Sequence, residues 1–264
     1  MRIDAHCHVW PPGGAALAAG VTPQDRRPPE YPIGTHLRRL AALGIDAAVL
    51  VPHIAYYGRD LSYAFECARQ WPGRCAVMGA ITRAETEDPR RVCGDLALGV
   101  RSFRIRAVDL ARPLDDLCGL LQSVRAVLCP LITRVQAEAG ALQQVVALAA
   151  RHPQLPFVLD HFGGRPDSPA FEALAECPNV LVKISDFAAF DAPPYARALD
   201  ATLALCRLFG AQRMMWGSNM PVVELDAAQR LDEAFTVIEA AVGLSPIDKA
   251  SILGGTAERV FFTP

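Results

Sequence analysis

Several common signals are missing from this chain of 264 residues. No apolar run approaches the roughly 18 residues that span a bilayer. Lysine and arginine number 26 against 28 aspartates and glutamates, so the chain lacks the basic excess that nucleic acids attract. The chain does not open with a charged segment followed by an apolar one, as a secretory signal does. These absences predict a cytoplasmic protein with neither nucleic-acid nor membrane partners.

The eight cysteines are scattered, and no two of them form a Cys-x-x-Cys pair. Several fall within apolar helix or strand patterns, which is typical of reduced, buried thiols rather than of a disulfide framework. The Gly-x-Gly-x-x-Gly turn of dinucleotide-binding sheets is also missing. With 52% hydrophobic residues, the chain can bury a large core in one big α/β domain or two small ones.

What the chain does contain is an alternation of short apolar runs with amphipathic helical patterns. The apolar runs predict strands over residues 3–10, 47–52, 75–81, 100–105, 127–135, 157–160, 180–185 and 214–216. Strands that are apolar throughout are typical of a parallel sheet buried on both faces. Eight strand–helix units close a (β/α)8 TIM barrel at about this length, so we predict a single α/β domain over residues 1–264. An open doubly wound sheet is the alternative.

A long connection follows the first predicted strand. Residues 11–34 are rich in proline, glycine and alanine and too broken by proline to form a regular element. A connection of this length inside a compact domain is usually a lid or a binding loop. We therefore predict a lid over residues 11–34.

Polar side chains concentrate at the carboxyl ends of the predicted strands, where barrels place their active sites. The set comprises His6, His8, His53, Arg104, Arg106, Arg134, Asp160, His161, Asp186 and Asn219. Because side chains alternate along a strand, His6 and His8 face one side, where they could share a metal or hold a carbonyl group. Guanidinium groups bind carboxylates in bidentate pairs, so the three arginines predict a small anionic substrate. Tyr56 follows His53 and could cover the flat face of that substrate.

Structural interpretations of the same residues remain open at this point. His6 and His8 also fit a pair of core histidines with Asp4 as their hydrogen-bond partner. An arginine of the set could instead pair with Asp109 or Glu138 on the surface. Asp186 could equally cap a helix or turn.

Five short motifs occur in order along the chain. They are Ile3-Asp4-Ala5-His6-Cys7-His8, Asp160-His161-Phe162-Gly163, Val182-Lys183-Ile184-Ser185, Trp216-Gly217-Ser218-Asn219-Met220-Pro221 and Ile252-Leu253-Gly254-Gly255-Thr256-Ala257. In these motifs the sequence resembles the amidohydrolase superfamily, in particular the branch with 2-pyrone-4,6-dicarboxylate lactonase and sugar-acid lactonases. The resemblance implies a hydrolase that opens the cyclic ester of a carboxylate-bearing small molecule. The barrel-mouth histidines His6, His8 and His161 would polarise its carbonyl.

The chain departs from this family where the eighth strand ends. In the family an aspartate there takes a proton from the attacking water, and in metal-bearing members it also binds metal. Here the position is Asn219, whose amide is neither basic nor a good ligand. The fifth-strand segment 131–135 also lacks the histidine of many metal-dependent relatives. We therefore predict a metal-independent enzyme, with zinc held by His6 and His8 as the alternative.

Another residue must then activate water. Our hypothesis is that Asp186 or His161 is the general base while Asn219 orients the substrate. Two other functions remain open: a lyase or decarboxylase of the same superfamily, which needs no hydrolytic water, and a protein that binds an anionic ligand without turnover. A homo-oligomer is also left open.

Overall fold

Parallel strands form the centre of the protein in the computed structural model, which describes residues 1–13, 17–221 and 227–263. The strands are β1 (Ile3–Cys7), β2 (Ala47–Leu50), β3 (Cys75–Val77), β4 (Gly79–Ile81), β5 (Ser102–Arg106), β6 (Val127–Leu131), β7 (Phe157–Leu159), β8 (Val180–Ile184) and β9 (Met214–Trp216). Strands that are neighbours in chain order pair in parallel, except β3 and β4, as apolar runs buried on both faces require.

These strands close into a ring. β3 and β4 are two halves of one barrel strand, separated by one residue: β3 pairs with β2, and β4 pairs with β5. The ring closes where β1 meets the segment after β9. There the Asn219 N–H donates to the carbonyl of His6 at 2.8 Å, and the His8 N–H donates to that of Met220 at 2.7 Å. The prediction of an eight-stranded TIM barrel is confirmed.

Helices follow the strands on the outside of the ring. They are α1 (Ile33–Ala42), α2 (Ile54–Tyr57), α3 (Ser62–Gln70), α4 (Arg83–Glu87), α5 (Cys93–Ala97), α6 (Ala107–Leu110), α7 (Asp115–Ser123), α8 (Arg134–Glu138), α9 (Ala141–Arg151), α10 (Ala170–Glu176), α11 (Phe187–Phe190), α12 (Ala196–Phe209), α13 (Ala227–Ala240) and α14 (Pro246–Ala250). In the described part of the chain, no helix has both the length and the apolar character to cross a bilayer.

Buried side chains form two layers, one outside and one inside the ring of strands. Helix residues such as Leu40 and Leu117 pack with one set of strand residues in the outer layer, between ring and helices. The alternate strand residues, among them Val49 and Cys129, form a smaller inner cluster within the ring. Each fully buried large apolar side chain contributes about 1.5–3 kcal/mol. The carboxyl ends of the strands, here called the mouth, carry the polar side chains.

The described parts of the predicted lid are fastened to the mouth. Trp10 and Tyr31 form an antiparallel bridge at the base of the loop, with N–H to carbonyl distances of 3.0 and 3.3 Å. The Trp10 indole N–H donates to the carbonyl of Pro28 at 3.0 Å. The Ala18 N–H donates to the carbonyl of Tyr56 at 2.8 Å. Residues 14–16 of the predicted lid lie outside the described residues.

Candidate active site

His6 lies at the centre of the polar group inside the mouth. Its side chain is fully buried; Nδ1 lies 3.4 Å from a carboxylate oxygen of Asp160, and Nε2 has no hydrogen-bond partner in the described structure. Its ring centroid lies 5.1 Å from that of His8 and 4.7 Å from that of His161. Gly217 makes this packing possible, because a β-carbon there would lie 2.7 Å from that of His6. Burial holds the pKa of His6 well below 6.5, so the imidazole is neutral.

His8 is held in one tautomer between a carbonyl and an amide. Its Nδ1 lies 2.8 Å from the carbonyl oxygen of Val51, which only accepts, so Nδ1 carries the hydrogen. Burial lowers the pKa of His8, which leaves a lone pair on Nε2. The Asn219 amide lies beside that lone pair, with Oδ1 placed 3.2 Å from Nε2; with the amide turned over, its NH2 group donates to Nε2. Asn219 therefore fixes the orientation of His8.

His161 uses both of its ring nitrogens. Nε2 lies 3.3 Å from Nη2 of Arg104, which only donates, so Nε2 must accept. Nδ1 then carries the hydrogen and donates to the Ser185 hydroxyl oxygen at 2.9 Å. Burial lowers the pKa of His161 as well. With its lone pair engaged and its basicity reduced, His161 is poorly suited to take a proton from water.

A buried ion cluster lies directly beneath these histidines. The Lys183 ammonium lies 2.8 Å from one oxygen of Asp160, and Nε of Arg104 lies 3.2 Å from the other. Burial alone would raise the pKa of Asp160, but Lys183, His6 and Arg104 together hold it well below its usual value. Asp160 is therefore an ionised structural anion.

Asp4 joins β1 to the segment after β9. It makes no hydrogen bond with the side chains of His6, His8 or His161 in the described structure. Its carboxylate accepts hydrogen bonds from the backbone N–H of His6 (3.1 Å) and from the N–H and hydroxyl of Ser218 (2.8 and 2.6 Å). His36 Nε2 lies 3.0 Å from the same carboxylate. This arrangement fixes β1 against the segment after β9, which places His6 beside Asn219.

Asp186 immediately follows Ser185 and precedes α11. Its backbone has a φ of 61°, and its carbonyl accepts from the N–H of Ala189 at 3.1 Å. Its carboxylate makes no capping hydrogen bond and no ion pair with the residues that the structure describes. The negative charge of Asp186 acts to raise the pKa of His161, so the carboxylate lies near that ring. The Asp186 side chain therefore does not cap α11.

An aromatic wall lines one side of the mouth. The His53 and Tyr56 rings stack at a centroid distance of 3.8 Å, and His53 lies 5.1 Å from His8. Trp10 packs edge-on against both rings, 6.0 Å from His53 and 5.7 Å from Tyr56. Burial, with a smaller contribution from Arg104, lowers the pKa of His53 to about 4. This wall offers a flat apolar surface for a ring.

Two of the three predicted substrate-binding arginines lie in surface ion pairs. Arg106 ends β5 half-exposed, with Nε 3.7 Å from Asp109. Arg134 was predicted within a strand over 127–135, which is wrong: β6 ends at Leu131 and Arg134 begins α8. Its side chain is 69% exposed and lies 3.4 Å from Glu138. The structure therefore brings only Arg104 to the histidines.

The side chains at the centre do not fit a divalent cation. His6, Asp160 and His161 each offer one potential ligand atom within 4.8 Å of the others. However, both Asp160 oxygens are paired with cations, and Nε2 of His161 accepts from Arg104. A metal there would have to displace Arg104 and lie close to the Lys183 ammonium. The positive charge that a metal would supply is already present on these two side chains.

The neutral histidines predict loss of stability in acid. His53 has a folded pKa of about 4 against 6.5 in the unfolded chain, so between these values the unfolded chain binds more protons. The contribution of His53 to the free energy of unfolding is therefore complete above pH 6.5 and is lost as the pH falls towards 4. We expect the Tm to decrease steadily over that interval, and less steeply in a His53→Gln variant. Identical slopes of Tm against pH in the two proteins would contradict this expectation.

Comparison with known proteins agrees with this geometry. Residues 3–263 match the family model described as "Amidohydrolase". The chain belongs to the amidohydrolase family. Two L-fucono-1,5-lactonases are each 30% identical to it: that of Burkholderia ambifaria over 85% of this chain and 82% of the relative, and that of Burkholderia multivorans over 100% and 97%. The solved structure of a Burkholderia multivorans amidohydrolase with bound HEPES is 25% identical, covers all of both chains and superposes with a TM-score of 0.73.

Three site residues of this amidohydrolase had no role assigned from sequence. Lys183 and Ser185 lie within a family motif, which marked their positions but not their partners. Ser218 lies within another motif and holds Asp4. The sequence signal for all three was a polar side chain within or just after an apolar strand, where a buried group needs a partner.

Proposed function

We propose that this amidohydrolase is a lactonase, which adds water to the carbonyl of a cyclic ester and opens the ring. One observation carries the proposal. Neutral, buried imidazoles lie together beside the Arg104 guanidinium, and the adjacent Asp186 carboxylate makes no capping bond and no ion pair among the described residues. The two L-fucono-1,5-lactonases with 30% identity support the same reaction class.

The proposed mechanism divides two tasks between these groups. Asp186 takes a proton from water, which attacks the carbonyl carbon. The Arg104 guanidinium, beside the neutral imidazoles, stabilises the negative charge that develops on the carbonyl oxygen. The carbon–oxygen bond of the ring then breaks, and the proton held by Asp186 passes to the leaving ring oxygen. Asn219 takes part only by orienting His8.

The remaining parts of the proposal concern metal, substrate and location. Metal independence is supported by the ion cluster, because Arg104 and Lys183 supply positive charge beneath the histidines. The same charge supports a substrate that carries a carboxylate. Arg104 and Lys183 share one anion, Asp160, so the cluster has a net positive charge that attracts an anion. A cytoplasmic location is supported by the eight cysteines, all of which are free thiols.

An assay on purified protein tests the proposal. We expect hydrolysis of at least one of 2-pyrone-4,6-dicarboxylate and L-fucono-1,5-lactone, followed as acid release, with kcat in the usual enzyme range of about 1–10³ s⁻¹. Dialysis against a chelator is expected to leave the rate unchanged, because no step uses a metal. Failure to hydrolyse either lactone counts against the lactonase, and loss of the rate on chelation counts against metal independence.

A further inference from the structure

Arg26 is a buried cation without an anionic partner in the described structure. The residue is only 7% exposed, and its Nε and Nη1 atoms have no hydrogen-bond partner among the described residues. The other buried cations differ, since Arg104 and Lys183 both pair with Asp160. A buried charge is costly unless it is paired, so this guanidinium requires an anion from elsewhere.

The loop that carries Arg26 lies against the aromatic wall of the active site. Two residues after Arg26, the carbonyl of Pro28 accepts from the Trp10 indole, whose ring lies 6.0 Å from His53. Earlier in the loop, Ala18 is hydrogen-bonded to Tyr56. The guanidinium itself lies beside the Tyr57 hydroxyl, where it opposes the increase in the Tyr57 pKa caused by burial. Arg26 therefore lies at the edge of the wall formed by His53 and Tyr56.

We propose that Arg26 binds a carboxylate group of the substrate and thereby selects acidic lactones over neutral ones. The inference rests on the proposed lactonase function. A guanidinium donates charge-assisted hydrogen bonds to a carboxylate, and Nε and Nη1, which lie on different edges of the group, are each available to donate one. Arg106 and Arg134 do not fill this role, because they are exposed and paired with Asp109 and Glu138.

The position also separates binding from chemistry. Arg104 contacts His161 and Asp160 at the centre of the site, whereas Arg26 contacts neither. A ring stacked on the wall of His53 and Tyr56 would direct its reacting carbonyl towards the histidines and a carboxylate substituent towards the loop. Arg26 is therefore a specificity-determining residue that touches the substrate away from the bond that breaks.

Binding of 2-pyrone-4,6-dicarboxylate, measured by calorimetry with every protein carrying Asp186→Asn to suppress hydrolysis, tests the proposal independently of turnover. We expect Arg26→Gln to raise Kd about 10- to 100-fold, the usual effect of losing a hydrogen-bonded charge. Arg26→Lys keeps the charge but not the planar guanidinium, so its Kd is expected to lie between those of Arg26→Gln and the protein with arginine at this position. The matched control is Arg27→Gln, which removes an exposed neighbouring charge and is expected to change Kd less than twofold. Thermal unfolding of each variant verifies that it is folded.

Each result decides between clear alternatives. In the Asp186→Asn background, equal Kd values with and without Arg26→Gln would overturn the proposal, as would no binding when Arg26 is present. An Arg26→Lys variant no better than Arg26→Gln would show that charge is not what the site recognises. Binding that depends on Arg26 without any hydrolysis would refute the lactonase and leave this anion site intact.

Discussion

Replacement of Asp186 by asparagine is expected to lower kcat for lactone hydrolysis by about 10²- to 10⁴-fold, the usual contribution of a general base. The substitution removes only the basic oxygen. The position has a φ of 61°, a conformation that asparagine adopts at least as readily as aspartate, so the backbone stays in place. The carboxylate makes no capping bond in α11, so stability should change little.

The matched control is Asp167→Asn. Asp167 is an exposed carboxylate in the loop after β7, at the same end of the barrel, and it pairs with Arg165 at 3.3 Å. We expect this variant to keep the wild-type kcat. A wild-type rate in Asp186→Asn, together with a large loss in His161→Ala, would assign the base to His161 instead.

A second substitution in the Asp186→Asn background sharpens this test. Asn219 occupies the position where the family resemblance places an aspartate base, and its amide lies 3.2 Å from Nε2 of His8. Asn219→Asp restores a carboxylate at the mouth without changing side-chain size. We therefore expect the double variant to regain part of the lost kcat, since the base has only been moved between neighbouring strands.

The fold could be predicted because most residues of its strands are apolar on both faces. Such runs specify burial on both faces, and their number specifies closure. Strand ends were less predictable, as residues 127–135 show. Thr133 and Gln136 form a capping box, in which the Gln136 N–H lies 3.4 Å from the Thr133 hydroxyl and the Thr133 N–H lies 3.0 Å from the Gln136 amide oxygen. That box begins α8 and turns Arg134 outwards, although its Thr-x-x-Gln pattern is readable in the sequence.

The site was predictable in its residue types but not in its pairings. The spacing of His6 and His8 already implied that both side chains face the same side of β1. Histidines from different strands converge because parallel strands end at the same edge of the barrel. Whether an arginine serves a substrate or an internal anion depends on distances that the sequence does not contain. Arg104 reaches Asp160 across the ring, whereas Arg106, two residues later, reaches solvent and Asp109. Arg26 was not predicted as a site residue, because the sequence indicated only a lid over residues 11–34.

Replacement of Asp160 by asparagine is expected to lower the free energy of unfolding by about 3–5 kcal/mol, the usual cost of removing one partner of a buried ion pair. The carboxylate is fully buried and is the anion shared by Lys183 and Arg104. Without it, two cations remain in the barrel interior with no anion within ion-pair distance among the described residues. Urea denaturation at constant pH measures the change.

The control for Asp160 is a carboxylate whose ion pair is open to solvent. Glu87→Gln breaks the exposed pairs with Arg83, at 2.7 Å, and with Arg112, at 3.4 Å, and is expected to lower the free energy of unfolding far less than Asp160→Asn does, because water screens both pairs. Combining Asp160→Asn with Lys183→Met removes one of the two stranded cations, so the double variant should be more stable than Asp160→Asn alone. Equal, small losses for Asp160→Asn and Glu87→Gln would mean that the interior cluster is hydrated. In that case Arg104 and Lys183 would be screened by water, and the site would lack the positive charge proposed to replace a metal.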